Sequence, residues 1–373
     1  MFVLIITFGL WPFNFWPTNQ VEWLQDENGV HFFGRGIICS EASIPFAINP
    51  SPDPINPTPY TQHPFVNALH PFSIEIWLQP GKESYNYTAR ILSLYDGQGI
   101  EKIVLSQWKS GLIVQKRIQD RPEESYPKVG IKDALPNGVK RFLTVTSGLE
   151  GTMVYIDGRL AGKYPKFHLL QENDSGSAQL LLGNSVRGKQ HWNGNLYGLA
   201  IYNQSLTGEQ VLRHFQCWAK REELSLLQEE KIIAFYPFHE HSGTLVHDQV
   251  SGHHLFIPSR FEVVQKTILT PPWKDFRLNR SYLMDILTNT LGFIPFGFFF
   301  SAYLWIKKPR PVYRLFLISI LFVGFTSFTI ELAQVYLPTR SSQLMDIITN
   351  ILGSAVGVSF FYHYHRRSLR PFV

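Results

Sequence analysis

Two segments of the chain repeat one polar pattern at helical spacing. Residues 284–292 and 345–353 differ at only two of nine positions, so Asp285, Asn289 and Gly292 recur as Asp346, Asn350 and Gly353. Steps of four and three residues put the acid, the amide and the gap on one face of a helix. Between the copies Glu331 and Gln334 lie one helical turn apart, and Arg340 follows closely. Carboxylates with amide neighbours are the groups of general acid–base chemistry, which makes Asp285, Glu331 and Asp346 the catalytic candidates. Together, Asp285, Asn289, Glu331, Gln334, Arg340, Asp346 and Asn350 form a candidate polar cluster. The alternative is that acids and amides only join helices, aided by Gly353, Gly357 and the Pro295-Phe296-Gly297 step.

The elements that carry these residues are apolar. Runs at about residues 282–306, 315–337 and 344–362 each reach the ~20 residues that cross ~30 Å of hydrocarbon. Lys307, Lys308, Arg310 and Arg314 join the first two runs, and Arg366, Arg367 and Arg370 follow the third. Positive flanks stay in the cytoplasm, which puts the turn at 338–343 and everything before 282 on the other side. Asn289, Glu331 and Asn350 then sit about six residues from the outer helix ends, ~9 Å deep. An acid at that depth is expensive unless it is paired or wet. Arg340 is the nearby cation, and its planar guanidinium suits bridging two carboxylates, so it is expected to fold back over Glu331 or an aspartate. Residues 1–17 are apolar and aromatic but too short to span, and read as a short first helix or an interfacial anchor ending near Trp11 and Trp16.

The chain has 373 residues and a net charge of +5, and its mean hydropathy of −0.06 averages a polar part with an apolar one. Seven basic residues flank the apolar runs and account for the whole net positive charge, which argues against nucleic acid as a partner. Two cysteines, Cys39 and Cys217, are too few for a disulfide scaffold or a zinc finger. Outside the cytoplasm they can pair with each other; the alternative is two unpaired buried thiols.

Residues 18–275 read as a soluble body. A proline-dense loop from Pro45 to Pro64 precedes many short alternating segments, including 72–79, 90–95, 102–106, 111–118, 142–146, 152–156, 160–164 and 179–182. Asp157-Gly158 is a type I′ hairpin signal, and Asp96-Gly97 marks another turn. Such spacing predicts an all-β sandwich or jelly roll. Residues 192–215 read as a strand, a turn and a short helix capped by Thr207. The histidines at 239, 241, 247, 253 and 254 lie in strand and loop without a metal-binding helix motif, and no metal is expected there.

With residues 72–80, the 154–158 hairpin and the 192–215 ending, this body resembles the laminin-G-like, concanavalin A-like lectin/glucanase domains. Residues 234–258 also resemble that family, in a stretch that often begins such a domain and here follows one. The resemblance implies carbohydrate binding, in some members with Ca2+, and in a minority hydrolysis, for which the glucanase Glu-x-Asp-x-x-Glu strand is absent from this sequence. Trp108 and Trp192 are the candidates for stacking on sugar.

The pattern Asp285 to Gly297, then Glu331 to Arg340, then Asp346 to Gly353 resembles the VanZ-like membrane family, whose biochemical activity is not generally assigned. The resemblance implies a module of three to four transmembrane helices (282–363, with 1–17 as the first helix cut short). The β domain is inserted after that helix, and a basic tail (364–373) follows. The expected protein is multidomain and multi-pass in a bacterial inner membrane, with the β domain extracytoplasmic and the C-terminus cytoplasmic. Its expected partners are membrane lipid and an envelope glycan or exopolysaccharide. The first functional reading is carbohydrate binding at the cell envelope. The alternatives are an enzyme or carrier for a lipid-linked glycan precursor, or in glycopeptide-antibiotic resistance, and a structural anchor.

Overall fold

The computed structural model describes residues 2–45, 70–82, 87–96, 99–117, 126–170, 177–228, 231–266, 268–275, 280–338 and 340–368. Most of the proline-dense loop and Gly97 of the Asp96-Gly97 turn lie outside the described residues. The chain forms two compact units, residues 18–265 and residues 1–17 with 266–373. Its helices are α1 (Phe2–Leu10), α2 (Gly208–Ala219), α3 (Pro272–Asp275), α4 (Arg280–Lys307), α5 (Val312–Gln334) and α6 (Leu344–Ser368).

The first unit is a sandwich of two sheets. One sheet runs Val21–Trp23, Val30–Phe33, Asn193–Tyr202, Phe72–Pro80, Arg141–Gly148, Gly151–Ile156, Arg159–Tyr164, with Ile232–Tyr236 added on Asn193–Tyr202. The other runs Leu245–Val246, Leu255–Phe256, Ile38–Ser40, Ser177–Leu182, Ala89–Tyr95, Glu101–Trp108, Gly111–Lys116, Lys128–Ile131, with Ile44–Pro45 added on Ser177–Leu182. Among the described residues every strand pair of the two sheets is antiparallel, as short hairpin-linked strands allow. Alternation sends Ile74, Ile76 and Leu78 into a common core with Ile91, Ile103, Leu105, Leu112 and Val114 of the facing sheet. Asp157 (φ 50°) and Gly158 (φ 77°) form the tight hairpin that their sequence predicts. Residues 232–256 do not begin a second unit. They finish this one, giving one strand to the first sheet and two to the second.

Alternation also turns Glu75 and Trp77 to the outer face of the first sheet, where α2 covers them. Thr207 caps α2 through a reciprocal box with Gln210. Val211, His214 and Trp218 then fall on the buried face over Phe142, Tyr155 and Phe235. Glu75 and His214 are both fully buried, with His214 Nδ1 3.0 and 3.1 Å from the two carboxylate oxygens. Tyr202 donates its hydroxyl to the same carboxylate at 3.0 Å. Removing one partner of such a buried pair costs about 3–5 kcal/mol, so it holds the register of α2 on the sheet.

The cysteines do not pair. Both thiols are free, Cys39 on the second sheet near Tyr95 and Cys217 on α2 beside Ser225, in separate apolar clusters. Burial, reinforced by the charge of Glu41, pushes the Cys39 thiol up to about 11, so it stays protonated at neutral pH and reacts poorly.

In the second unit three helices are long and apolar enough to cross a membrane: Tyr282–Lys307, Val312–Gln334 and Leu344–Arg366. Helices α4 and α6 meet backbone to backbone. A Cβ at Gly353 would fall on the Thr290 carbonyl, at Gly357 on the Ile294 carbonyl, and at Gly297 on the Ser354 carbonyl. Phe293, Phe296 and Val323 form one apolar cluster between helices, and Leu315, Val358 and Phe361 a second. Helix α1 lies along α5, where Gly9 leaves room for Ile330. Residues 266–275, assigned to the soluble body by sequence, belong with the helices: Thr270 N–H donates to Ser342 O at 2.9 Å and Leu344 N–H to Thr270 O at 3.1 Å.

The glycine contacts give a differential test. Gly353→Leu should lower the stability of the detergent-solubilised protein by about 3 kcal/mol or more, because the overpacked site is backbone and cannot yield. Gly292→Leu, at a position with nothing within 4 Å of the added Cβ, should change little. Equal thermal shifts for the two variants would contradict the close-packed interface.

Candidate functional site

The repeated acids and amides all fall near the end of the bundle that carries the 338–343 turn, and they form a series of contacts rather than one knot. Asn289 of α4 donates Nδ2 to Asp346 Oδ1 of α6 at 2.9 Å. Asn350, one turn further along α6, donates Nδ2 to Ser327 Oγ of α5 at 3.1 Å. Gln334, the last residue of α5, donates Nε2 to the Gly9 carbonyl of α1 at 2.8 Å. Thus each of the two amides repeated in the sequence ties α6 to a different neighbour. Asp285 is exposed on α4 and makes no hydrogen bond among the described residues.

Glu331 is the buried acid, 3 % exposed. Its Oε2 accepts the backbone N–H of Gln343 at 2.7 Å. The turn that supplies this donor is itself held, since Ser342 Oγ accepts from Leu269 N–H at 3.1 Å. Arg340 does not fold back over an acid. Its Nε and Nη2 donate to the Trp11 carbonyl at 3.2 and 3.1 Å, and it forms no ion pair among the described residues. The carbonyl at the end of α1 has no helical partner, and it takes the guanidinium that the sequence assigned to a carboxylate. Ser327, Ser342 and the Gln343 N–H were missed by sequence reasoning. Ser327 had a signal, four residues before Glu331 on the same face of α5, whereas a backbone donor has none.

On the sandwich the two tryptophans part. Trp192 is fully buried between the sheets, ring to ring with Phe32, its Nε1–H donating to Gln107 Oε1 at 2.8 Å. It is a core residue and no platform for sugar. Trp108 is 41 % exposed at the end of its strand, where Lys109 takes φ 53° in the tight turn to Gly111. That turn is held by Ser110 Oγ donating to Asp133 Oδ1 at 2.6 Å and by Leu135 N–H donating to Ser110 O at 2.7 Å. Lys109 and Asp133, which frame this turn, are exposed as well.

Among the described residues no three His, Cys, Asp or Glu side chains converge to hold a metal. Asp248, amid the histidines, is taken up by the N–H groups of Phe235, Val250, Ser251 and His253 and by the Ser251 hydroxyl.

These features define a two-part membrane protein, an antiparallel sandwich carried on a bundle of apolar helices. Residues 225–365 match the VanZ/LLP1 family and residues 57–212 match the concanavalin A-like lectin/glucanases superfamily, so the chain joins a VanZ-type module to a laminin-G-like sandwich. No curated protein matches it. Among solved structures it is similar to the CBM40 of Ruminococcus gnavus IT-sialidase bound to alpha2,3 sialyllactose, at 16% identity and a TM-score of 0.33 over 39% of this chain and 82% of that one. It is also similar to a SAP-like pentraxin from Limulus polyphemus (14% identity, TM-score 0.35, 53% of this chain and 83% of that one). A putative carbohydrate binding protein from Bacteroides ovatus gives 10% identity and a TM-score of 0.39 over 66% of this chain and 62% of that one.

The hold on Glu331 can be tested through the backbone. Gln343→Pro removes the N–H that the carboxylate accepts, while Gln343→Ala keeps it. The proline variant should be less stable than the alanine variant by about 1–3 kcal/mol in thermal unfolding of the solubilised protein. Equal midpoints would show that the bond contributes nothing.

Proposed function

We propose that the chain is a multi-pass protein of the bacterial inner membrane that presents a glycan-binding sandwich on the extracytoplasmic side of the cell envelope. The match of residues 57–212 to the lectin/glucanase superfamily carries this reading, in a chain whose other part is a VanZ/LLP1 membrane module. The sidedness is supported by charge. Lys307, Lys308, Arg310 and Arg314 lie between α4 and α5, and Arg366 lies near the end of α6, so one end of the bundle is strongly basic. On this reading the opposite end faces outward, and so does the sandwich, which the chain enters after residue 17 and leaves before residue 266. The partner is an envelope glycan or exopolysaccharide, and Trp108 is its stacking platform.

Full-length protein in nanodiscs should bind a subset of a bacterial glycan array, and Trp108→Ala should weaken that binding about tenfold, the equivalent of ~1.4 kcal/mol of lost stacking. Absence of binding by the parent protein, or parent-like binding by the variant, would sink the assignment. Topology is checked separately. Reporter fusions after Arg310 should read cytoplasmic and fusions within residues 100–250 extracytoplasmic, and the opposite reading for the sandwich would overturn the orientation.

A further inference from the structure

The polar layer between α5 and α6 holds more acceptors than donors. Glu331 and Ser327 lie one turn apart on the buried face of α5, 3 % and 1 % exposed, and Ser327 meets Asn350 of α6, which is 8 % exposed. Asn350 spends its Nδ2 donor on Ser327, which leaves its carbonyl oxygen buried with no partner among the described residues. Glu331 receives the Gln343 N–H and forms no ion pair among the described residues. The two side chains best able to supply donors are turned away, Gln334 to the Gly9 carbonyl and Arg340 to the Trp11 carbonyl. The other described charged groups at this end are Asp346, bonded to Asn289, the exposed Asp285, the exposed Arg280 at the start of α4, and Lys266, which sits over the Tyr336 ring at 5.5 Å. A carboxylate removed from water, one helical turn from the serine that holds an amide with an unpaired oxygen, calls for a cation or a proton.

We propose that this layer binds one small monovalent cation, a sodium-sized ion or a proton, with the Glu331 carboxylate and the Asn350 carbonyl oxygen as its principal acceptors and Ser327 as their neighbour. The set is all oxygen with one buried carboxylate, which suits a hard ion of low charge rather than a soft metal. The 341–343 turn, held by residues 269–270, covers the site and is the part that must give way for exchange. The inference stands whether or not the sandwich binds glycan.

The test uses full-length protein in nanodiscs of neutral lipid, with unfolding followed by circular dichroism at constant ionic strength. One arm replaces choline by sodium at about pH 8. The other lowers the pH to about 5 in choline alone. A native state that binds more of either cation than the unfolded chain gains stability as that cation is added. If the occupant is sodium, the midpoint should rise by about 4 °C or more in the first arm. If it is a proton, the rise comes in the second arm only. Glu331→Gln, which makes the acid permanently neutral, should abolish whichever response the parent shows, and Ser327→Ala should weaken the sodium response. Should Glu331→Gln fail to fold, Asn350→Leu takes its place and should likewise abolish the response. A parent midpoint indifferent to both sodium and pH, or a response that survives in these variants, overturns the proposal.

Discussion

Helix α6 touches α4 backbone to backbone, and this contact decides where the polar residues of the bundle fall. With Gly353 and Gly357 seated on the carbonyls of Thr290 and Ile294, Asp346 comes level with Asn289, two turns before Gly353. The flank of that same face is left to meet α5 through Asn350 and Ser327. Inside a bilayer no water completes an open hydrogen bond, so helices that approach this closely must also match their polar groups. The small residues supply the approach and the amides supply the register. A bulky side chain at either glycine would shift both together, which is why the repeated acid, amide and glycine form one device.

The sandwich solves a related problem with a different pair. Its outer sheet face is polar by alternation at Ser73 and Glu75, yet α2 buries it. The carboxylate stays because His214 and Tyr202 come to it from the helix and from the adjacent strand. Thr144 adds a weaker contact at 3.4 Å. Serine side chains do the same work at the strand end, where Ser73 Oγ donates to Gln204 O at 2.7 Å and accepts from Leu206 N–H at 3.1 Å. The connection from the strand to α2 is therefore held at both ends before the apolar residues of the helix add their burial.

Much of this was legible in the sequence, and the reasons are local. Long apolar runs, the Thr207 cap, the Asp157-Gly158 turn and the Gly353/Gly357 spacing each express a rule that acts within a few residues. What was not legible depends on contacts between distant segments. Arg340 was assigned to an acid because acids were the polar groups visible near it, but the open carbonyl at the end of α1 lies 329 positions away in the chain. Trp192 reads like Trp108 in sequence, and only the closing of the two sheets buries one and leaves the other out. Glu75 faces outward from its sheet by alternation, but the helix that covers it begins more than a hundred residues later. The strands of 232–256 can be read in sequence either as a late closing of the sheet or as a second partial unit, and pairing of Phe256 with Cys39, far back in the chain, decides for the first.

That late return bears on how the two units share one chain. Within the sandwich the entering and leaving segments lie side by side. Thr18 pairs with Arg260, and Asn19 N–H donates to Ser259 O at 3.2 Å. Within the helical unit the corresponding ends meet the same short turn, Trp11 through Arg340 and Thr270 through Gln343. A domain whose ends are adjacent can interrupt another without prising it apart, because the host closes the gap as it would around an ordinary loop. The last strands of the sandwich are what bring its ends together. Residues 232–265, which finish both sheets and run back to Thr18, therefore let a body of some 250 residues sit inside a membrane module while α1 keeps its place against α5.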